Sequence, residues 1–201
     1  MVKNCGATPK AIVVLFTLLI CAFTSFQFLT PLLIDENSIV IIQDLNGSDF
    51  RIHKGDIAVP YLLIYDIGKL ICHQNSQRSL EINGNQMPIC LRCLGILLGV
   101  NCSLILSIVI CTNIQLPQHF IVDSVNSFSS VVHLKKREIS AIVILGLSLT
   151  LPMIIDGLIQ IFTSYESSSA MRLATGFLFG VAEGLVLVGL VVSVFAFGKK
   201  T

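Results

Sequence analysis

Residues 90–111 read CLRCLGILLGVNCSLILSIVIC: a Cys-x-x-Cys pair enclosing an arginine, followed without a break by an apolar stretch that carries no charge. Crossing about 30 Å of hydrocarbon takes roughly 20 apolar residues as a helix. Counted from Leu94 to Cys111, this stretch approaches that length, and Arg92 extends it upward by snorkelling. Three other runs meet the same standard: Ala11 to Ile34, Ile139 to Phe162 and Leu173 to Phe197. The expected fold is an all-α membrane protein with four transmembrane helices, the whole chain 1–201 forming a single membrane domain.

Composition points the same way. Of 201 residues, 54% are hydrophobic and only 12% charged, with a mean hydropathy of +0.85, which is too apolar for an ordinary soluble domain. The 13 basic and 12 acidic side chains leave a net charge of +1 and no basic face, so neither nucleic acid nor a disordered role is expected, and the lipid bilayer is the natural partner. The seven cysteines are odd in number and argue against a small secreted disulfide scaffold. Cys5, Cys21, Cys102 and Cys111 lie in or beside apolar runs and read as small buried hydrophobes, whereas Cys72, Cys90 and Cys93 crowd one polar stretch.

Alternating spans place Lys3, Lys10, the Lys135-Lys136-Arg137 cluster and Lys199-Lys200 on one side, which the positive-inside rule makes the cytoplasm. The expected location is the cell membrane, with both termini cytoplasmic, an inner loop 112–138, and outer loops 35–92 and 164–172. A cleaved signal peptide is the alternative for the first run, because Lys3 and Lys10 precede it. Its apolar stretch is longer than such segments and ends without an Ala-x-Ala site. The Leu18-Leu19-Ile20-Cys21 run is similar to a lipoprotein box, but Ile20 stands where a small residue is required.

In the outer loop, Ser38 to Gln43 and Phe50 to His53 flank Asn46-Gly47 and predict a short hairpin. Pro60 then opens the segment Tyr61 to Cys72, where Leu63, Ile67, Leu70 and Ile71 share one helical face; an interfacial or re-entrant helix delivering Cys72 to the membrane surface is expected. His119 and His133 in the inner loop read as solvated rather than as ligands.

The chemistry gathers around the cysteines. Cys72 and His73 are adjacent, and with Cys90 and Cys93 they supply three sulfurs and one imidazole, a complete tetrahedral set for which zinc is the expected metal. Adjacent ligands are awkward, so Cys72 or His73 could instead support the shell. A redox reading stands beside this one: Cys90 and Cys93 as a reversible disulfide at a helix start, activated by the dipole and Arg92. A structural staple for the loop is the plainest reading. Arg78, Arg92 and Arg172 have guanidinium forks suited to phosphate or carboxylate at the level of lipid headgroups, although snorkelling with acidic partners explains any one of them. Asp156, with Gln160 one turn later, is a costly intramembrane acid and hence a candidate base, ligand or arginine partner; Glu166 could join it. Glu183 and Asn101 sit near mid-span and are expected to hydrogen-bond as interhelical glue, and Gly176, Gly180 and Gly184 to admit a close helix neighbour.

Cys72-His73-Gln74, Arg78-Ser79, Gly84, Pro88-x-Cys90-x-Arg92-Cys93-x-Gly95-Ile96, Asp156-Gly157-x-x-Gln160, Glu166-Ser167 and Arg172-x-x-Thr175-Gly176 together resemble a prokaryotic membrane-protein family catalogued as domain of unknown function 2085. The likeness covers roughly Lys69 to Gly184. It implies a polytopic membrane protein in which these polar residues belong together, and it supplies no activity. The Pro88 to Cys93 stretch also resembles half of a zinc-deaminase signature, but no His-x-Glu accompanies it, which excludes that chemistry. The function expected is a zinc-assisted hydrolysis or transfer at the extracytoplasmic face, on an amphiphilic, phosphorylated or otherwise anionic lipid. Arg78, Arg92 and Arg172 would hold the anion and Asp156 or Glu166 would handle a proton. A thiol–disulfide oxidoreductase, a transporter using Asp156 and Glu183, and a non-enzymatic scaffold with a structural metal are the alternatives.

Overall fold

A computed structural model describes residues 7–43, 49–53, 57–113 and 136–197. Lys3, the Asn46-Gly47 turn, His119, His133, Lys135 and the terminal Lys199-Lys200 pair lie outside the described residues. The order of elements is α1 (Ala7–Leu33), β1 (Ile39–Gln43), β2 (Asp49–His53), α2 (Val59–Ile71), a single 3₁₀ turn (Ser76–Arg78), β3 (Ser79–Ile82), β4 (Asn85–Cys90), α3 (Leu91–Asn113), α4 (Lys136–Phe162) and α5 (Ser169–Phe197). Four of these helices are long and apolar enough to cross a membrane: Ala11–Leu33, Leu91–Val109, Ile144–Phe162 and Ser169–Val191. Their outward faces carry Leu18, Leu19, Ile154 and Val186, as lipid contact requires.

The tightest pairing is between α3 and α5. A Cβ added at Gly95 would strike the Leu173 carbonyl, one at Gly99 the Phe177 carbonyl, and one at Gly180 the Ile96 carbonyl. The two helices therefore run parallel, backbone against backbone, with glycines from both sides of the seam. Association inside lipid relies on such close packing, because hydrocarbon gives helices no hydrophobic reason to meet. The Gly176, Gly180 and Gly184 row receives α3.

α1 runs antiparallel to α3. Phe28 packs near Leu94 at one end and Val13 joins Val100, Leu104 and Val188 at the other. Between them, Asn101 Nδ2 donates to Thr24 Oγ1 at 2.8 Å and the Cys21 thiol donates to Asn101 Oδ1 at 3.1 Å. The hydrogen bond expected between Asn101 and Glu183 is thus replaced by one to α1. Asn101 lies two residues beyond Gly99, about 200° around the helix from the glycine face at about 100° per residue, so it must point away from α5.

The ordering of β1 against β2 is antiparallel, pairing Ile39 with His53 through Gln43 with Asp49. A second hairpin, β3 with β4, turns through Asn83 and Gly84, whose φ values of 55° and 67° are those of a two-residue primed turn. Asn85 ties this hairpin to the rest of the cap. Its Oδ1 accepts from the Ser38 and Ile39 amides at 2.8 and 2.9 Å, and its Nδ2 donates to the Pro31 and Asp35 carbonyls at 3.1 and 3.0 Å.

Candidate metal centre and charged cluster

Two elements bring the cysteines together. Helix α2 starts on Pro60 at its first turn and ends where Cys72 turns extended; β4 feeds Cys90 into the first turn of α3, which carries Cys93. A buried amide lattice fixes α2 against β4. Tyr65 Oη donates to the Gln86 carbonyl at 2.6 Å, and Gln74 Nε2 donates to the carbonyls of Tyr65 and Pro88, both at 2.7 Å. Gln86 Nε2 donates to the Gln74 carbonyl at 2.6 Å, and Gly68 leaves room for the Pro88 carbonyl. Tyr65, Gln74, Asn85 and Gln86 are buried almost completely, so these polar groups must be satisfied within the cap. The exposed face of α2 carries Leu63, Leu70 and Ile71.

The Sγ atoms of Cys72, Cys90 and Cys93 all lie within 4.8 Å of one another, and each is a free thiol. Cys72 is buried and its sulfur accepts from the Cys90 amide at 3.2 Å and the Gln74 amide at 3.4 Å. Two backbone donors on one sulfur favour its charged form, but the neighbouring Cys90 side chain and burial outweigh them. The neighbouring thiols split the cluster: the side chains of Cys72 and then Cys93 pull Cys90 below the ordinary thiol range, while the Cys90 side chain, with burial, pushes Cys72 up. Three sulfurs at this spacing form a group that could hold a metal ion. His73 is exposed and is not one of that group.

A charged cluster occupies the same end of the bundle, where α3 and α5 begin and α4 ends. Arg92 bonds through its terminal nitrogen to Asp156 Oδ2, an ion pair whose acid is buried and whose base is half-buried. Gln160 Nε2 donates to Asp156 Oδ2 at 2.9 Å and to Ser167 Oγ at 2.8 Å; Ser167 Oγ also accepts from Arg172 Nε at 3.1 Å. Arg78 reaches Glu166 at 3.5 Å, with side-chain exposures of 40% and 64%. One continuous polar path thus runs Arg92–Asp156–Gln160–Ser167–Arg172, with Arg78 and Glu166 at its rim. The Nε groups of Arg78 and Arg92 are buried without a partner among the described residues. Among the described residues of the cluster, three guanidiniums face two carboxylates, leaving one positive charge in excess.

Of the residues singled out from the sequence, Asp156, Arg92 and Arg172 therefore meet in one network, and Arg78 and Glu166 form a separate pair at its rim. Glu183 does not join it. Ser167 is the hub that sequence reasoning left without a role, although the Glu166-Ser167 pair of the family pattern signalled it. The β3–β4 hairpin was also missed, although Asn83-Gly84 between Leu80-Glu81-Ile82 and Asn85-Gln86-Met87 is a hairpin turn signal.

Four apolar helices capped at one end by thiols, arginines and acids define a polytopic membrane protein with a polar site at one face. The chain belongs to the family described as predicted membrane protein DUF2085, whose pattern matches residues 72–186, the stretch from the first thiol of the trio to the middle of α5. An uncharacterised protein of Methanocaldococcus jannaschii is 30% identical over 119 residues, covering 59% of this chain and 62% of that protein. An uncharacterised protein of Methanothermobacter thermautotrophicus is 26% identical over 113 residues, covering 56% of this chain and 80% of that protein. The chain thus spans somewhat under two thirds of the length of the first of these relatives. No solved structure matches the chain.

Proposed function

We propose that the protein is a membrane-embedded zinc site acting on a phosphorylated or otherwise anionic lipid at the extracytoplasmic face. The observation that carries the reading is the gathering of three thiols within 4.8 Å beside a cluster with surplus arginine charge. Zn–S bonds of about 2.3 Å in a tetrahedron put sulfurs about 3.8 Å apart, a modest contraction of the trio. Cys72, Cys90 and Cys93 would hold the ion. His73, exposed beside Cys72, stays outside that trio, so a fourth position is left open, as catalytic zinc sites require and closed structural sites do not. A zinc ion there would supply Lewis acidity toward a phosphoryl or acyl oxygen.

The chain's own residues then have distinct tasks. Arg78, half-exposed at the rim, holds the anionic headgroup, and Arg172, fixed by Ser167, adds positive field behind it. Glu166 is exposed beside Arg78 and is the acid free to exchange a proton with the substrate. Asp156, bonded to both Arg92 and Gln160, orients rather than transfers. The exposed stripe of α2 seats this face in the headgroup region.

The test is phosphate release from phosphatidic acid in mixed micelles. Zinc-loaded protein is expected to turn over the lipid, with loss of activity on chelation and restoration by zinc, and Arg78→Gln is expected to raise KM more than it lowers kcat. Zinc-independent turnover, or none with any phosphorylated lipid, overturns the reading. Dithiol oxidation of Cys90 and Cys93 coupled to a quinone would replace it with the oxidoreductase.

A further inference from the structure

Away from the polar face, an open groove of about 480 Å³ runs along α5, lined by Phe179, Ala182 and Val186 with Val100 of α3, and with Thr150 of α4 and Glu183 as its polar members. Val186 is 61% exposed and Glu183 is exposed as well, so the groove opens sideways, toward hydrocarbon. Thr150 Oγ1 donates to the Gly146 carbonyl of its own helix at 3.0 Å. Glu183 has no hydrogen bond or ion pair among the described residues. It lies eleven positions beyond Arg172 along α5, about 16 Å at 1.5 Å per residue, beyond reach of the arginine cluster.

A carboxylate facing lipid is costly, and either a proton or a cationic ligand relieves that cost. Divalent cations need several oxygen ligands, and the lining supplies one carboxylate. The occupant that matches is a molecule with one positive charge and an apolar body, entering laterally from the bilayer. We infer that the α3–α4–α5 groove binds lipophilic monovalent ammonium ions, with Glu183 as the charge partner. The aliphatic lining covers the apolar body, and exchange of an ammonium for lipid leaves the thiol site untouched, so the site stands independently of the proposed zinc chemistry.

The experiment is equilibrium dialysis of radiolabelled dodecyltrimethylammonium against the purified full chain in neutral maltoside micelles, with empty micelles as background. Saturable binding is expected, weakened about tenfold to hundredfold in Glu183→Gln and retained in Glu183→Asp. Should Glu183→Gln fail to fold, Val186→Trp, which fills the groove and keeps the carboxylate, takes its place with the same expected loss. Absence of saturable binding to the wild-type chain overturns the inference, as does binding unchanged in these variants. Self-crosslinking of Val186→Cys chains in vesicles, placing a second copy over the groove, overturns it too.

Discussion

Arg92 sits between Cys90 and Cys93 in sequence, yet its guanidinium is committed to Asp156 of α4. That ion pair is largely removed from water, so removing one partner strands the other charge. Asp156→Ala should lower the unfolding free energy of the detergent-solubilised protein by about 3–5 kcal/mol. Glu166→Ala, which breaks the solvent-exposed pair with Arg78, should cost less than about 1 kcal/mol. Equal losses in chemical denaturation would show that the two pairs have been ranked wrongly. At this scale the sequence was informative about residue identity. An acid and three arginines in a chain this apolar announce a site, because their desolvation has to be compensated by one another. It was uninformative about partners: Asn101 went to Thr24 and not to Glu183, since helix rotation, a tertiary choice, decides which way an amide points.

Among elements, the α3–α5 seam and the β3–β4 hairpin decide whether the thiols meet. Gly180 lies against the Ile96 carbonyl, whereas nothing approaches Gly157 within 4 Å. Gly180→Val should therefore destabilise the bundle by about 1–3 kcal/mol through forced separation of the backbones, while Gly157→Ala should be neutral or mildly stabilising. Thermal unfolding of the two variants checks the contrast. Gly84, at φ 67°, is in the left-handed region, and an added methyl would also press on the Asn37 side chain. Gly84→Ala should cost about 1–2 kcal/mol and, by loosening the strand that presents Cys90, should weaken metal binding, read by chelator competition. The spans, the first hairpin and the existence of α2 were legible because each follows from hydrophobic period and length. The second hairpin carried its Asn-Gly signal inside a short polar stretch, without long flanking alternation, and so passed unread.

For the molecule as a whole, parallel α3 and α5, with α1 and α4 running against them, bring the ends of four helices to one face. The cap of two hairpins and α2 closes over that end. This arrangement explains why the family pattern, from Cys72 into α5, is dispersed in sequence and contiguous in space: the polar residues belong to different elements that terminate together. Because sequence spacing cannot say that three sulfurs share one point, the folded cap is what turns a Cys-x-x-Cys and a distant cysteine into one unit. The most direct measurement is elemental analysis with thiol counting on protein purified from zinc-supplemented cells. The account predicts one zinc per chain, three thiols shielded until a chelator is added, and loss of the metal in Cys72→Ser as complete as in Cys93→Ser. Zinc retained in Cys72→Ser, or metal-free protein with a Cys90–Cys93 disulfide, would contradict it.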